Sequence, residues 1–217
     1  MNSGTRTADD EAAVEITDLA VRRGGTAVLR GVTVRLERGE AVRLAGPNGC
    51  GKSTLLNVLA GLTPPSSGTV KVWGRAPDHR GVRAQRGFLQ EPPPLYDHLT
   101  VREQAALVGG VWGVRTGSLT DRLAALGIGA DRRHVLIGDL SLGQRKKTGY
   151  VCATAHDPRL LLLDEPFNGL DEAAASVVHE DLLRRKGDGA TIVYVTHTAP
   201  HDGLIDRVID LSGGTAR

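Results

Sequence analysis

The chain has 217 residues, enough for one sizeable domain and too few for two large ones. Hydrophobic residues make up 40% and charged residues 24%, which excludes a disordered chain, and the net charge of +2 gives no reason to expect a nucleic-acid partner. Two cysteines, Cys50 and Cys152, are too few for a disulfide framework and indicate a reducing compartment.

No stretch has the roughly 18–20 consecutive apolar residues that a transmembrane helix needs. Residues 1–13 are polar and acidic and lack the apolar middle of a signal peptide, so we expect a flexible N-terminal tail. Residues 14–217 are predicted to form one domain of a cytoplasmic protein.

The first part of the domain has the pattern of antiparallel strands. Residues 32–36 alternate between apolar and polar side chains, which predicts a strand with one exposed face. Residues 14–20 and 27–30 are predicted to be its antiparallel neighbours, with a turn at Gly24 and Gly25. A further short strand is predicted over residues 69–73.

Three short apolar segments predict a second, parallel sheet. They are Ala41–Ala45 and residues 160–163 and 191–196, and long helical stretches separate them. Near-continuous apolar strands are typical of a parallel sheet covered by helices on both faces. Ligands in such sheets bind beyond the carboxyl ends of the strands.

The middle of the chain is predicted to be helical. Thr100 and Glu103 have the spacing of a capping box ahead of a helix over residues 104–111. A second helix is expected from near Ser118 to Gly127. Consecutive prolines precede this part, so we predict an inserted α-helical subdomain over about residues 91–145.

A phosphate-binding loop follows the strand Ala41–Ala45. It comprises Gly46, Pro47, Asn48, Gly49, Cys50, Gly51, Lys52, Ser53 and Thr54. This order fits G-x-x-x-x-G-K-[ST] between a strand and a helix, where backbone N–H groups converge on phosphates and the positive end of the helix points at them. Lys52 is expected to reach the β- and γ-phosphates of a nucleoside triphosphate, and the Ser53 hydroxyl to bind Mg²⁺. A glycine-rich turn without a ligand is the alternative.

Two carboxylates follow the buried strand at residues 160–163. Asp164 is predicted to bind Mg²⁺, and Glu165 is placed to accept a proton from the attacking water, a role typically worth about 10²–10⁴-fold in rate. The alternative is that both carboxylates cap the next helix.

Further motifs make the chain resemble the ABC ATPases over about residues 14–211. The segment Leu-Ser141-Leu-Gly143-Gln144 is similar to the LSGGQ signature of that family, and Gln90, Asp171 and His197 match in order its Q-loop glutamine, D-loop aspartate and switch histidine. Each motif also has a plain interpretation: a capping box for Ser141 and Gln144, a surface residue for Gln90, a helix N-cap for Asp171 and a strand-end residue for His197.

The resemblance implies a P-loop NTPase core with an N-terminal antiparallel β subdomain, and a mechanism. Two ATP-binding subunits pair head to tail, each presenting Ser141, Gly143 and Gln144 to the nucleotide of the other. Gln90 senses Mg²⁺ and water, His197 holds the γ-phosphate, and Asp171 connects the two sites.

Two positions depart from the family pattern. Leu142 replaces the first signature glycine; we expect it to be tolerated because its backbone N–H survives, although a weakened site is the alternative. Arg23 stands where the family commonly has an aromatic that stacks on adenine, and it either replaces that stacking or is a solvated hairpin residue. Cys50 is interpreted as a small tolerated residue rather than a redox switch.

The resemblance implies an ATPase of a membrane transporter, with ATP and Mg²⁺ as cofactors. It favours an exporter over an importer. The membrane-spanning part is a separate multi-span subunit, which places this chain peripherally on the inner face of the cell membrane. No contact with nucleic acid or with the transported substrate is expected. A soluble ABC ATPase of a protein-assembly system, such as iron–sulphur cluster assembly, is the alternative, and a regulator without turnover is a third reading.

Overall fold

The architecture combines a small antiparallel sheet, a larger parallel sheet and helices. In the computed structural model, residues 12–196 and 203–216 are described. The strands are β1 (Val14–Arg23), β2 (Thr26–Leu36), β3 (Ala41–Ala45), β4 (Ser67–Val72), β5 (Arg86–Leu89), β6 (Leu160–Asp164), β7 (Thr191–Val195) and β8 (Arg207–Asp210). The α-helices are α1 (Lys52–Leu59), α2 (Arg80–Arg83), α3 (Val101–Trp112), α4 (Thr116–Ala125), α5 (Leu142–Ala153) and α6 (Glu172–Gly187).

The antiparallel sheet has the order β2-β1-β4. The predicted turn at Gly24 and Gly25 joins β1 to β2, because Arg23 pairs with Thr26 across it. The prediction of separate strands at residues 27–30 and 32–36 was wrong, because both belong to the continuous strand β2. Register shifts in its pairing with β1 let the ladder continue past the point where the alternation of side chains is broken.

The parallel sheet has the order β5-β6-β7-β3-β8, so the three strands predicted from apolar segments lie side by side at its centre. The two outer strands, β5 and β8, were not predicted as strands. The described residues contain no helix that is both long enough and apolar enough to cross a bilayer.

Both faces of the parallel sheet are buried, as the continuous apolar strands predicted. Leu160 and Leu162 of β6 pack in a cluster with the antiparallel sheet and α1. Leu161 and Leu163, which alternate with them, pack in a second cluster with α3, α4, α5 and α6. Because the carboxyl ends of parallel strands share one edge, β3 and β6 deliver the segments that follow them to the same side of the sheet.

The two helices predicted in the middle of the chain lie close to the observed helices α3 and α4. Thr100 and Glu103 form the predicted capping box of α3, and α4 spans ten residues inside the predicted insert. The packed domain begins before the predicted boundary at residue 14, because Ala12 and Ala13 are buried and the Ala13 amide donates to the Leu36 carbonyl. The packed domain therefore includes residues 12 and 13.

Candidate functional site

The phosphate-loop sequence forms the connection between β3 and α1. Gly51 is the N-cap of α1 with φ of +108°, and a Cβ added there would lie 2.5 Å from Leu29 Cδ2. Only glycine fits this position, since an L-side chain would be strained and would clash with β2. Because glycine has no capping side chain, the first N–H groups of α1 keep their capacity to bind an anion.

Lys52 lies inside the loop that it follows. Its side chain is buried, and its ammonium group donates to the carbonyl oxygens of Gly46 at 2.7 Å and Pro47 at 3.1 Å. A lysine held in this way carries its positive charge at the centre of the loop. The place suits an ammonium group that neutralises phosphate oxygens.

Asp164 and Glu165 lie opposite the loop across a cleft of about 470 Å³. Asp164 is buried at the end of β6. Glu165 follows with φ of +51°, a left-handed conformation that costs a non-glycine residue roughly 1–3 kcal/mol and that clusters at functional sites. Its amide donates to the carbonyl of Val195 at 3.0 Å, which anchors it to β7.

The cleft therefore brings together most of the groups predicted to hold phosphate and to activate water. The residues that line it are Val28, Asn48, Gly49, Gly51, Lys52, Ser53, Thr54, Glu91, Asp164, Glu165, Asn168 and Val195. Val28 and Glu91 were not predicted as site residues, although Glu91 directly follows Gln90; Asn168 begins the D-loop-like segment that ends at Asp171. Since Ser53 and Asp164 both line the cleft and offer oxygen ligands, their chemistry fits Mg²⁺.

Gln90 lies at the edge of this arrangement. It follows β5 directly, and its side-chain amide donates to Asn57 Oδ1 of α1 at 3.4 Å. Among the described residues, the lining of the cleft includes its neighbour Glu91 but not Gln90 itself. Its predicted role at Mg²⁺ stays a prediction.

The signature-like segment forms the start of α5. The Ser141 hydroxyl accepts from the Gln144 amide at 3.3 Å, and the Gln144 side chain accepts from the Ser141 amide at 3.1 Å, so the capping box is present. A Cβ on Gly143 would lie 2.4 Å from the Gly169 carbonyl oxygen, whereas Leu142 is 59% exposed. The helix start therefore packs on the loop before α6 at Gly143 and projects away from the chain at Leu142.

Asp171 takes the role of a helix N-cap. It accepts from the Ala174 amide of α6 at 2.9 Å and forms an ion pair with Lys147 at 2.6 Å. The hydrogen bond from Lys147 lowers the pKa of the exposed Asp171 carboxyl, and the Ala174 amide lowers it further. Both contacts lie within this chain, so a role across an interface stays a prediction.

The remaining predicted residues are Arg23, Cys50 and His197. Arg23 is exposed at the end of β1, and within the described part of the chain Val28 of β2, rather than Arg23, lines the cleft. Cys50 is half-buried in the loop, while Cys152 lies in α5, where burial raises the pKa of its thiol to about 12. His197 lies outside the described residues.

Comparisons with known proteins agree with this arrangement. The profile of the family described as ABC transporter matches residues 29–168. The lantibiotic transport ATP-binding protein SrtF of Streptococcus pyogenes is 33% identical over 85% of this chain and 80% of its own length. Nod factor export ATP-binding protein I of Sinorhizobium fredii is 32% identical over 98% of this chain and 64% of its own length. The sulfate/thiosulfate import protein CysA of Methylococcus capsulatus is 36% identical over 93% of this chain and 61% of its own length.

Solved structures show the same fold. One structure of an ATP-binding subunit of an ABC transporter superposes with a TM-score of 0.84 at 31% identity, covering 94% of this chain and 88% of that one. A dimeric ATP-binding cassette in a post-hydrolysis state with ADP and Pi superposes with a TM-score of 0.82 at 24% identity, covering 94% and 96%. The fold class predicted from the sequence is confirmed.

Proposed function

We propose, since this chain belongs to the ABC transporter family of ATP-binding subunits, that it hydrolyses ATP to drive export of a substrate through a separate membrane-spanning subunit. The observation that carries the ATPase part is the cleft in which Lys52, Asp164 and Glu165 meet. The phosphate loop supplies the binding groups, and the two carboxylates supply the chemistry.

Each group in the cleft has a distinct task. The N–H groups of the loop and of the first turn of α1 bind the phosphates, and Lys52 neutralises their charge. Ser53 and Asp164 would hold Mg²⁺, which would stabilise negative charge on the phosphate oxygens. Glu165 accepts the proton of the attacking water, with its backbone held in place by β7.

Two copies of the chain, or this chain and a second ATP-binding subunit, pair head to tail when ATP binds. The support is the position of Ser141 and Gly143, which among the described residues lie outside the lining of their own cleft. Exposed Leu142 projects from this helix start and is free to meet another subunit. In this arrangement His197 would hold the γ-phosphate, Gln90 would sense Mg²⁺ and water, and Asp171 would connect the two sites.

The membrane subunit docks in a groove of about 360 Å³ between β5 and the helices α3 and α5. Exposed apolar side chains line it, namely Tyr96, Leu107, Val111 and Trp112. A monomer rarely leaves such a cluster open to water, so the cluster marks a protein interface. This docking places the chain on the inner face of the cell membrane.

The export direction rests on the similarity to Nod factor export ATP-binding protein I, whereas the similarity to the sulfate/thiosulfate import protein CysA points to import. The identity of the substrate is expected to depend on the membrane subunit, because that subunit and not this chain contacts it. The relatives named above are transport proteins, which does not favour the assembly-factor alternative.

The test is to isolate the partners of a tagged Glu165→Gln variant from the native host in mild detergent with ATP. The variant closes the dimer and slows its release, which preserves weak assemblies. Recovery of a multi-span membrane protein supports transport, whereas recovery of soluble partners alone, with the chain absent from membranes, contradicts it.

A matched pair of substitutions tests the docking groove. Val111 is 68% exposed inside the groove, and Leu62 is 59% exposed outside it. Val111→Asp should lose the membrane subunit in this isolation while Leu62→Asp keeps it. Loss with both variants, or with neither, contradicts the groove as the docking site.

A further inference from the structure

A buried lysine lies beneath the carboxylates of the cleft. Lys146 of α5 is 1% exposed, and its ammonium group donates to the backbone carbonyl of Glu165 at 3.1 Å. It also forms an ion pair with Glu91, which lines the cleft. A charge is costly to bury unless it is paired and hydrogen-bonded, and here both conditions are met.

The contact bears on the conformation of the proposed general base. The Glu165 backbone is left-handed, so it needs contacts that hold it there. Its N–H donates to Val195 of β7, and its carbonyl accepts from Lys146 and from the Asn168 amide at 3.2 Å. The peptide groups on both sides of the Glu165 side chain are thereby anchored, from the sheet on one side and from α5 on the other.

The same ammonium group reaches the segment that runs to the docking groove. Glu91 follows Gln90, and Pro93, Pro94 and Tyr96, a few residues further on, line that groove. Lys146 thus touches the segment between the groove and the cleft as well as the backbone of Glu165. A shift of residues 91–96 on docking would act on Glu165 through one side chain.

We infer that Lys146 is a positioning residue for ATP hydrolysis, which fixes the backbone of Glu165 and connects it through Glu91 to the docking groove. This inference rests on the proposed function. Lys146 does not line the cleft in the described part of the chain, so it acts through Glu165 and not on ATP. It therefore affects the rate of hydrolysis and leaves nucleotide binding largely unchanged.

Two variants and their combination separate positioning from simple stabilisation. Lys146→Met removes both contacts, while Glu91→Gln removes the ion pair but keeps the donor to the Glu165 carbonyl. Glu91→Gln leaves the buried charge of Lys146 without its carboxylate and lowers Tm, while Lys146→Met leaves Glu91 unpaired but partly exposed and lowers Tm less. The double variant has no unpaired charge, so its Tm recovers, but it still lacks the contact to Glu165.

The matched control is Lys186→Met. Lys186 also donates to a carbonyl, that of Leu204 at 3.0 Å, and pairs with a carboxylate, Asp206 at 2.7 Å. It lies at the opposite edge of the sheet, where Asp206 contacts the start of β3. It shares the chemistry of Lys146 without its position.

The measurements are Tm, the dissociation constant of a fluorescent ATP analogue, and kcat and KM for ATP, all on the full chain. We expect Lys146→Met and the double variant to lose about tenfold in kcat. Their dissociation constants for the analogue should stay within about twofold of that of the parent. Glu91→Gln should lose less, and Lys186→Met should keep the parental kcat.

Recovery of kcat together with Tm in the double variant would overturn the inference, because the loss would then follow stability alone. An equal loss of kcat in Lys186→Met would also overturn it. A parent chain that binds the analogue but hydrolyses no ATP contradicts the proposed function instead, so the two failures are distinct.

Discussion

The helices α1 and α5 differ in how the N–H groups of their first turns are satisfied. At α1, the cap is Gly51, which has no side chain to offer. At α5, Ser141 and Gln144 form a capping box that satisfies two backbone amides from within the chain. The amides of the next two residues, Leu142 and Gly143, have no acceptor in a helix of this kind.

Under the proposed head-to-tail scheme, the difference separates two kinds of anion site. The start of α1 is open and shares a cleft with Asp164 and Glu165, so with Lys52 it is equipped for both binding and chemistry. The start of α5 is pre-ordered by its own cap and points outward, with only two amides and a hydroxyl to offer. It is suited to recognising a phosphate that another subunit already holds.

The largest effect is expected from Glu165→Gln, which leaves both helix starts intact and removes only the proton acceptor. Hydrolysis should fall by about 10²–10⁴-fold, while ATP binding persists and ATP-dependent dimers accumulate. Steady-state ATPase assays and size-exclusion chromatography measure the two effects. Glu172→Gln, an exposed carboxylate in the first turn of α6, is the control. Dimers that form equally well without ATP would contradict the scheme.

The second prediction compares the two capping boxes, using Ser141→Ala against Thr100→Ala. Both should cost about 1 kcal/mol in the free energy of unfolding, since each removes one N-cap. Only Ser141→Ala should also prevent the ATP-dependent dimer in the Glu165→Gln background, because Thr100 caps α3. If the two variants behave equally in the dimer assay, Ser141 acts only as a helix N-cap and has no role in dimerisation. Chemical denaturation and chromatography supply both measurements.

The third prediction concerns the two positions that follow Ser141. Gly143→Ala should cost about 1–3 kcal/mol in the free energy of unfolding, since its Cβ would meet the Gly169 carbonyl. Leu142→Ala should change it by less than about 0.5 kcal/mol, because Leu142 is exposed. Urea unfolding followed by circular dichroism compares them. A tolerated Gly143→Ala would mean that the signature segment does not pack on the loop at Gly169.

The smallest effect is expected at Arg23, which lies outside both helix starts and is the candidate for stacking on the adenine base. If Arg23 replaces an aromatic, Arg23→Tyr should tighten ATP binding by up to about tenfold, since base stacking on aromatics contributes roughly 1–3 kcal/mol. Arg22→Tyr, next to it on β1, is the matched control. Titration with ATP measures both. If Arg23→Tyr binds ATP no better than the parent, Arg23 is a solvated hairpin residue, which accords with the position of Val28 in the cleft.

Motifs that are continuous in sequence were predicted well. The phosphate loop follows its strand directly, and Asp164 and Glu165 lie at the end of theirs, so a parallel sheet brings both segments to one edge by geometry alone. The capping box of α3 also depends only on two residues three positions apart. In each case, neighbouring residues determine the result.

Predictions failed where the result depends on pairing with a distant segment. The break in alternation around Gly31 suggested two strands, but pairing with β1 keeps β2 continuous. Strands β5 and β8 are short, and only the neighbouring strands β6 and β3 identify them as part of the sheet. Glu91 follows Gln90 directly, but its ion pair with Lys146 and the contact of Lys146 with Glu165 join residues far apart along the chain.

The sequence by itself indicated the family through the resemblance of its motifs, and it determined the parallel core and the phosphate-loop motif, because strand hydrophobicity and local spacing specify them. Only the tertiary structure decided which position of the signature-like segment has room for a side chain, and which groups hold Glu165. Gly143 is constrained by Gly169, and Glu165 by Lys146 and Val195. Such constraints come from close approach between segments distant in sequence, and no local pattern encodes the distance between them.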